Sequence, residues 1–285
     1  MKISVETYAL RERFGDDESL RRIAAAGFGS FDYSFYWTDE RNDMLGDDYL
    51  SRAEHIRDLA ASLGLTCGQA HAPFDITAEN RFDESDPLFV RLIRSIEAAS
   101  VMGAENIVVH RIEVPEGTDE LEFNRGFYRS LIPYCERYGI KVAVENLFTF
   151  REGRPVGVLD KPEILKGFIA SLGSDCFSAC VDVGHAHFTG TPPQELISGL
   201  DGGILGALHI HDNDGSGDNH RLPWCGGIDW DAVTDSLAKI GYDGEMTLEI
   251  FGSLSRYPSE LTDEVLRFAA RIASRLAEMV EEKKK

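Results

Sequence analysis

The chain has 285 residues, 43% hydrophobic and 10% aromatic, enough to bury one large α/β core. Its 29 basic residues face 49 acidic ones, and the net charge of −20 repels a phosphate backbone and speaks against a nucleic-acid partner. No run of eighteen apolar residues occurs, and MKISVETYAL lacks a basic stretch followed by an apolar one. A soluble, cytoplasmic protein without membrane contact is therefore expected.

Strand-like and helix-like segments alternate eight times along the chain. The strands are expected at 2–7, 28–35, 65–71, 105–110, 140–145, 177–182, 206–211 and 245–250. Between them, 17–27, 47–64, 86–103, 118–139, 161–173, 192–200 and 229–241 carry apolar residues at three- and four-residue spacing, and a closing helix starts near Ser259. Gly27, Gly64, Gly103, Gly139, Gly173 and Gly241 stand where a helix stops before the next strand. Pro87, Pro162 and Pro192-Pro193 mark helix starts. Eight such units in one chain predict a single-domain (β/α)8 TIM barrel spanning residues 1–285. A doubly wound sheet would need a Gly-rich phosphate loop after an early strand, and no such pattern is present. The five cysteines form no CxxC pair and read as reduced thiols, with Cys225 in a Gly-rich loop.

Six consecutive strands end in a side chain able to hold a metal: His71, His110, Glu145, Asp182, His209 and Glu249. In a parallel barrel all strand C-termini meet at one rim, so these groups converge there. Glu145 closes the apolar run KVAV, where a buried carboxylate needs a charge partner or a cation; Asn146 beside it is placed to orient the carboxylate. His185 follows Asp182 by three residues, a spacing at which both can face one metal. Alternatively, Asp182 caps the next helix. His209 and His211 share a strand face, and the loop beyond adds Asp212, Asp214, Asp218 and His220. Asp214 and Gly215 read as turn residues. Gly226 and Gly227 leave room for close backbone approach. Two glutamates around one cation suit moving a proton from one face of a carbon beside a carbonyl and returning it elsewhere. Arg111 and Arg221 are the candidates for binding a substrate phosphate or carboxylate.

The set HAPF, VVH, VENL, DVGH, HIHD, DNH and LEIF resembles the xylose isomerase-like TIM barrels (AP endonuclease family 2) from about Lys2 to Arg256. That superfamily joins sugar-phosphate isomerases and epimerases with AP endonucleases of the endonuclease-four type. The isomerase branch implies one Mn²⁺, Mg²⁺, Co²⁺ or Zn²⁺ held by Glu145, Asp182, His209 and Glu249. There the two glutamates act as acid and base, and His185 contacts substrate. Its pattern of histidine, two residues, then an acid selects His209 over His211. The endonuclease branch implies up to three metals: His71, His110 and Glu145 for the first; Glu145, Asp182, His209 and Glu249 for the second; His185, Asp218 and His220 for the third. Two departures from the family patterns stand out. Phe74 replaces the tyrosine that those nucleases carry after HAP, and Gly215 replaces the arginine that ketose 3-epimerases carry six residues after the metal histidine. The resemblance thus implies a small carbohydrate substrate: a sugar, sugar phosphate or polyol derivative. The alternative is a multinuclear-metal phosphoesterase. Oligomeric state, with a homo-oligomer among the options, is left open.

Overall fold

A computed structural model describes residues 1–36 and 43–285. Eight parallel strands form the barrel: β1 (Ile3–Glu6), β2 (Ser30–Ser34), β3 (Thr66–His71), β4 (Asn106–Val109), β5 (Lys141–Glu145), β8 (Phe177–Asp182), β9 (Leu205–His209) and β10 (Met246–Leu248). The order is β10-β1-β2-β3-β4-β5-β8-β9. Ile210 closes the ring by accepting from Glu249 N at 3.0 Å and donating to Thr247 O at 2.9 Å. The helices α1 (Tyr8–Ala26), α2 (Tyr49–Ser62), α3 (Pro87–Met102), α4 (Glu120–Tyr138), α5 (Pro162–Leu172), α7 (Pro193–Gly199), α8 (Trp230–Lys239) and α10 (Thr262–Lys283) surround it. The expected (β/α)8 barrel is thus the observed one.

Successive strand residues point to opposite faces. Ile107, Val109, Val142, Val144, Ala179, Val181 and Leu208 face outward and join the large core under the helices. Val108, Ala143, Cys180 and Ala207 form a separate small cluster inside the ring. Continuing that inward phase by two residues reaches His110, Glu145, Asp182 and His209. The strand period therefore aims the ionisable groups at the barrel mouth, while small residues below them leave room. All six glycines expected to stop a helix, Gly27, Gly64, Gly103, Gly139, Gly173 and Gly241, adopt the left-handed backbone expected of them.

Several elements differ from the sequence reading. α1 begins at Tyr8 rather than Asp17, and Gly15 (φ 72°, ψ 176°) interrupts it, so only its second half carries the regular period. The segment after Glu145 forms an antiparallel hairpin, β6 (Leu147–Arg151) and β7 (Arg154–Val158). Its turn residues Glu152 and Gly153 both have positive φ, the conformation a tight two-residue hairpin loop requires. Two short helices, α6 (Val183–Phe188) and α9 (Phe251–Leu254), follow the sixth and eighth barrel strands. The closing helix begins at Thr262, after a short 3-10 turn at Ser259–Leu261.

Candidate metal centre at the barrel mouth

Glu145 is the hub. Its Oε1 pairs with His209 Nδ1 at 2.8 Å, and its Oε2 lies 2.9 Å from His110 Nε2. His185 Nδ1 stands 3.6 Å from Oε1, and His71 Nε2 3.9 Å from Oε2. His71 and His110 touch through their Nε2 atoms at 3.0 Å, and His71 Nδ1 is held by the Ala72 carbonyl at 2.8 Å.

Asp182 caps the next helix and also meets an imidazole. Its Oδ1 caps α6 by accepting from His185 N at 2.6 Å, and its Oδ2 meets His211 Nε2 at 3.1 Å. Asn146 does not orient Glu145; it clamps the backbone of Asp182 through bonds of 2.8 and 2.9 Å. Glu249 Oε2 lies 3.4 Å from His209 Nδ1. Glu145, Asp182, His209 and Glu249 therefore meet around one imidazole, with Asp182 Oδ2 3.8 Å from that same Nδ1.

A second focus lies beside the first. Asp218 Oδ2 contacts His220 Nε2 at 3.0 Å and His185 Nε2 at 3.4 Å, and His211 stacks on His220 with centroids 3.8 Å apart. Donor atoms of His185, His211, Asp218 and His220 all lie within 4.8 Å of one another, as do those of His71, His110 and Glu145 and those of Glu145, Asp182 and His185.

The electrostatics follow from this crowding. Burial raises the Glu145 carboxyl, yet His209 and His110 outweigh it and hold the group well below the ordinary range. The same contest brings Glu249 down to about 2, through His209 and His220. Burial opposes a charged His185, but Asp182 and Asp218 push it well upward. Burial likewise opposes a charged His220, and Glu249 and Asp218 lift it to about 9. His71 goes the other way, down to about 4, because burial and His110 both disfavour its charge. Ionised carboxylates thus hold protons on buried imidazoles at positions where a cation could replace those protons. His209 Nε2, His211 Nδ1 and Asp218 Oδ1 are buried without a hydrogen-bond partner. Carboxylates and imidazoles with unfilled buried atoms are a donor set that fits divalent metals.

Both arginines already hold acidic partners. Arg111 is buried and bonds Glu120 at 2.5 Å and the Phe148 carbonyl at 3.1 Å, while Arg221 pairs with Asp214 at 2.8 Å. Asp212 is structural: its carboxylate accepts from Trp230 Nε1 at 3.0 Å. Gly226 packs beneath that loop, where a Cβ would fall 2.3 Å from the Asn213 carbonyl oxygen.

Three buried groups near the centre escaped the sequence reading. Asp32 Oδ2 lies 3.5 Å from His209 Nε2 and accepts from Gln69 Nε2 at 2.7 Å. Glu6 accepts from Ser34 Oγ at 2.8 Å. Tyr36 donates to Glu249 Oε1 at 2.7 Å. Glu6 and Asp32 face inward on the first two strands, the same pattern as the six strand-end acids and imidazoles. Above the centre opens a cleft of about 440 Å³ whose walls include Phe74, His110, Leu147, Phe148, His185 and Asp218.

Residues 20–272 match the model of the xylose isomerase-like TIM barrel family, and the chain belongs to that family. An uncharacterized protein of Methanocaldococcus jannaschii is 33% identical over 189 residues, which span 63% of this chain and 62% of that relative. The crystal structure of a D-tagatose 3-epimerase-like protein matches with a TM-score of 0.76 and 25% identity over 100% of both chains. The IOLI protein, solved with a binding zinc atom, shares the fold at a TM-score of 0.72 and 19% identity over 99% of each chain.

Proposed function

We propose that the protein is a divalent-metal-dependent isomerase or epimerase acting on a small sugar, sugar phosphate or polyol derivative. One observation carries this reading: Glu145 and Glu249, from strands three apart in the ring, both reach His209 Nδ1, at 2.8 and 3.4 Å. The resemblance to an epimerase-like barrel supports it. Glu145, Asp182, His209 and Glu249 would hold the cation. When bound, the metal would supply positive charge that polarises a substrate carbonyl. The carboxylate and imidazole donors suit Mn²⁺, Co²⁺ or Zn²⁺, and Mg²⁺ with more water in its shell.

The chain's own groups do the rest. One glutamate takes a proton from the carbon beside the carbonyl, and the other returns one from its side of the substrate. His185, held between Asp182 and Asp218, lines the cleft and contacts the substrate's oxygens. Phe74 and Phe148 line the cleft with apolar surface and exclude water. Arg111 lines it too, and through Phe148 O it steadies the β6 wall. Arg221, tied to Asp214, shapes the loop that carries Asp218 and His220.

A second reading, a multinuclear-metal phosphoesterase, draws on the overlapping donor groups, which would accommodate up to three ions. The net charge of −20 weighs against a nucleic-acid substrate. Among the described residues no helix is long and apolar enough to cross a membrane, and all five cysteines are unpaired, in keeping with a cytoplasmic location.

Metal counting on the purified protein, with solvent deuterium exchange into a panel of ketoses, inositol derivatives and sugar phosphates, tests the proposal. One tightly bound ion and exchange at the carbon beside the carbonyl are expected. Three ions with incision of abasic DNA, and no exchange, would replace it with the second reading.

A further inference from the structure

We propose that Tyr36 is a positioning residue that gives the two oxygens of Glu249 different tasks; this rests on the reading of Glu249 as a cation-contacting acid–base group. The Tyr36 hydroxyl donates to Glu249 Oε1 at 2.7 Å. A hydrogen bond to an ionised carboxylate is among the stronger kinds, and this one is shielded from water because Tyr36 is 6% exposed and Glu249 5%. The other oxygen, Oε2, is the one that faces the imidazoles, 3.4 Å from His209 Nδ1 and 3.7 Å from His220 Nδ1. The carboxylate is thus divided: Oε2 looks toward the cation position, and Oε1 is tied to a phenol.

The phenol itself is locked. Its ring contacts Tyr8 at 4.9 Å, the His71 ring edge-on at 4.9 Å and Phe74 at 5.1 Å. The backbone beneath it is pinned by Phe35 N donating to the His71 carbonyl at 2.8 Å. Tyr36 therefore cannot follow Glu249 if that carboxylate turns, and Glu249 must break a buried bond to present both oxygens to one ion. Phe74, which packs on Tyr36, also lines the cleft, so the phenol that holds Oε1 is braced by a residue of the cleft wall. The arrangement makes Glu249 a one-oxygen ligand and keeps the second oxygen oriented for proton transfer.

The test uses the full chain and Mn²⁺ alone, with near-ultraviolet tyrosine difference absorbance as the readout. Mn²⁺ drawing charge from Glu249 perturbs the phenol bonded to it. In the wild type we expect a saturable tyrosine signal that tracks ion binding. Tyr257→Phe, which removes an exposed phenol, retains that signal. Tyr36→Phe loses it and binds Mn²⁺ about tenfold more weakly, the scale of losing a ligand's hydrogen-bonded support. The wild-type titration carries the test even where Tyr36→Phe is unstable, and a thermal melt reports that separately. Mn²⁺ binding by the wild type with no tyrosine signal, or an unchanged signal and affinity in Tyr36→Phe, overturns the role of Tyr36 and leaves the isomerase reading intact. A wild type that binds no divalent metal sinks that reading, and this inference with it.

Discussion

Gly184 tests whether the centre is as tightly packed as its distances imply. It is the second residue of α6, and a Cβ placed there would fall 1.9 Å from His211 Cε1 and 2.3 Å from Nδ1. Carbon atoms in contact normally stand about 3.5–4 Å apart, so Gly184→Ala must drive the ring back by roughly 1.5 Å. That retreat is blocked. His211 is fully buried, its Nε2 is held by Asp182 at 3.1 Å, and its face stacks on His220, which in turn packs on Phe251 with centroids 3.9 Å apart. Overpacking of this kind costs about 1–3 kcal/mol. With the ring unable to retreat the cost stands at the upper end of that range, and the better helix propensity of alanine returns at most about 1 kcal/mol, so the net loss is about 2–3 kcal/mol. Because the displaced ring supports Asp182, metal affinity falls about 10- to 100-fold. Urea melts in EDTA read the first quantity and competitive metal titration the second. A Gly184→Ala protein with the wild-type midpoint and wild-type affinity would show that the imidazoles are loosely held and that the packing argument is wrong.

Asp32→Asn, which keeps the Gln69 contact but removes the charge facing His209 Nε2, weakens metal binding about 10- to 100-fold while leaving the melting temperature within a few degrees; equilibrium dialysis against a chelator checks it. Glu6 gives a pH signature. Burial first, then Glu249, raises its carboxyl from the ordinary 4.5 to about 8. Between about pH 4.5 and pH 8 the unfolded chain ionises this group while the folded protein keeps the proton, so wild-type stability falls as pH rises through that window. In Glu6→Gln this slope disappears, and the stability of the variant relative to wild type, from urea midpoints in EDTA, increases from pH 5 to pH 8; a flat or falling difference contradicts the assignment. Asp86→Ala removes the cap of α3, where Oδ1 accepts from Leu88 N at 2.9 Å, and also frees Asn80 and Arg81 N from Oδ2. A loss of about 1–2 kcal/mol in denaturant is expected, with metal content unchanged.

The architecture and most of the centre could be read from the sequence because strand burial and ligand chemistry clash at the strand ends. Val-Ala-Val-Glu and Ile-Val-Val-His each break an apolar run with a group that a core rejects. Glu6 and Asp32 gave no such break. They lie in strands whose inward positions are already polar, Ser4 on one side and Ser30 and Ser34 on the other, so nothing marked them out. Tyr36 looked like an ordinary aromatic beyond a strand; only the fold brings it to Glu249, 213 positions away. The hairpin was missed because only its root, Leu147 and Val158, is buried: Phe150 is 61% exposed, and the strands carry arginine at both turn flanks. The first half of α1 was missed because no side chain caps it and Gly15 breaks its period.

The β6–β7 ribbon leaves the ring one residue after Glu145, and among the described residues its two strands pair only with each other. Its length and tip can therefore drift without disturbing the register of β5 against β8. Yet its root supplies Leu147 and Phe148 to the cleft wall. The layout separates the mouth from part of its frame: the ionisable groups stand on ring strands, and an appendage outside the ring walls the cleft above them. Under the proposed function, grafting this ribbon from a relative would retune which substrate is accepted and leave the Glu145 carboxylate where it is.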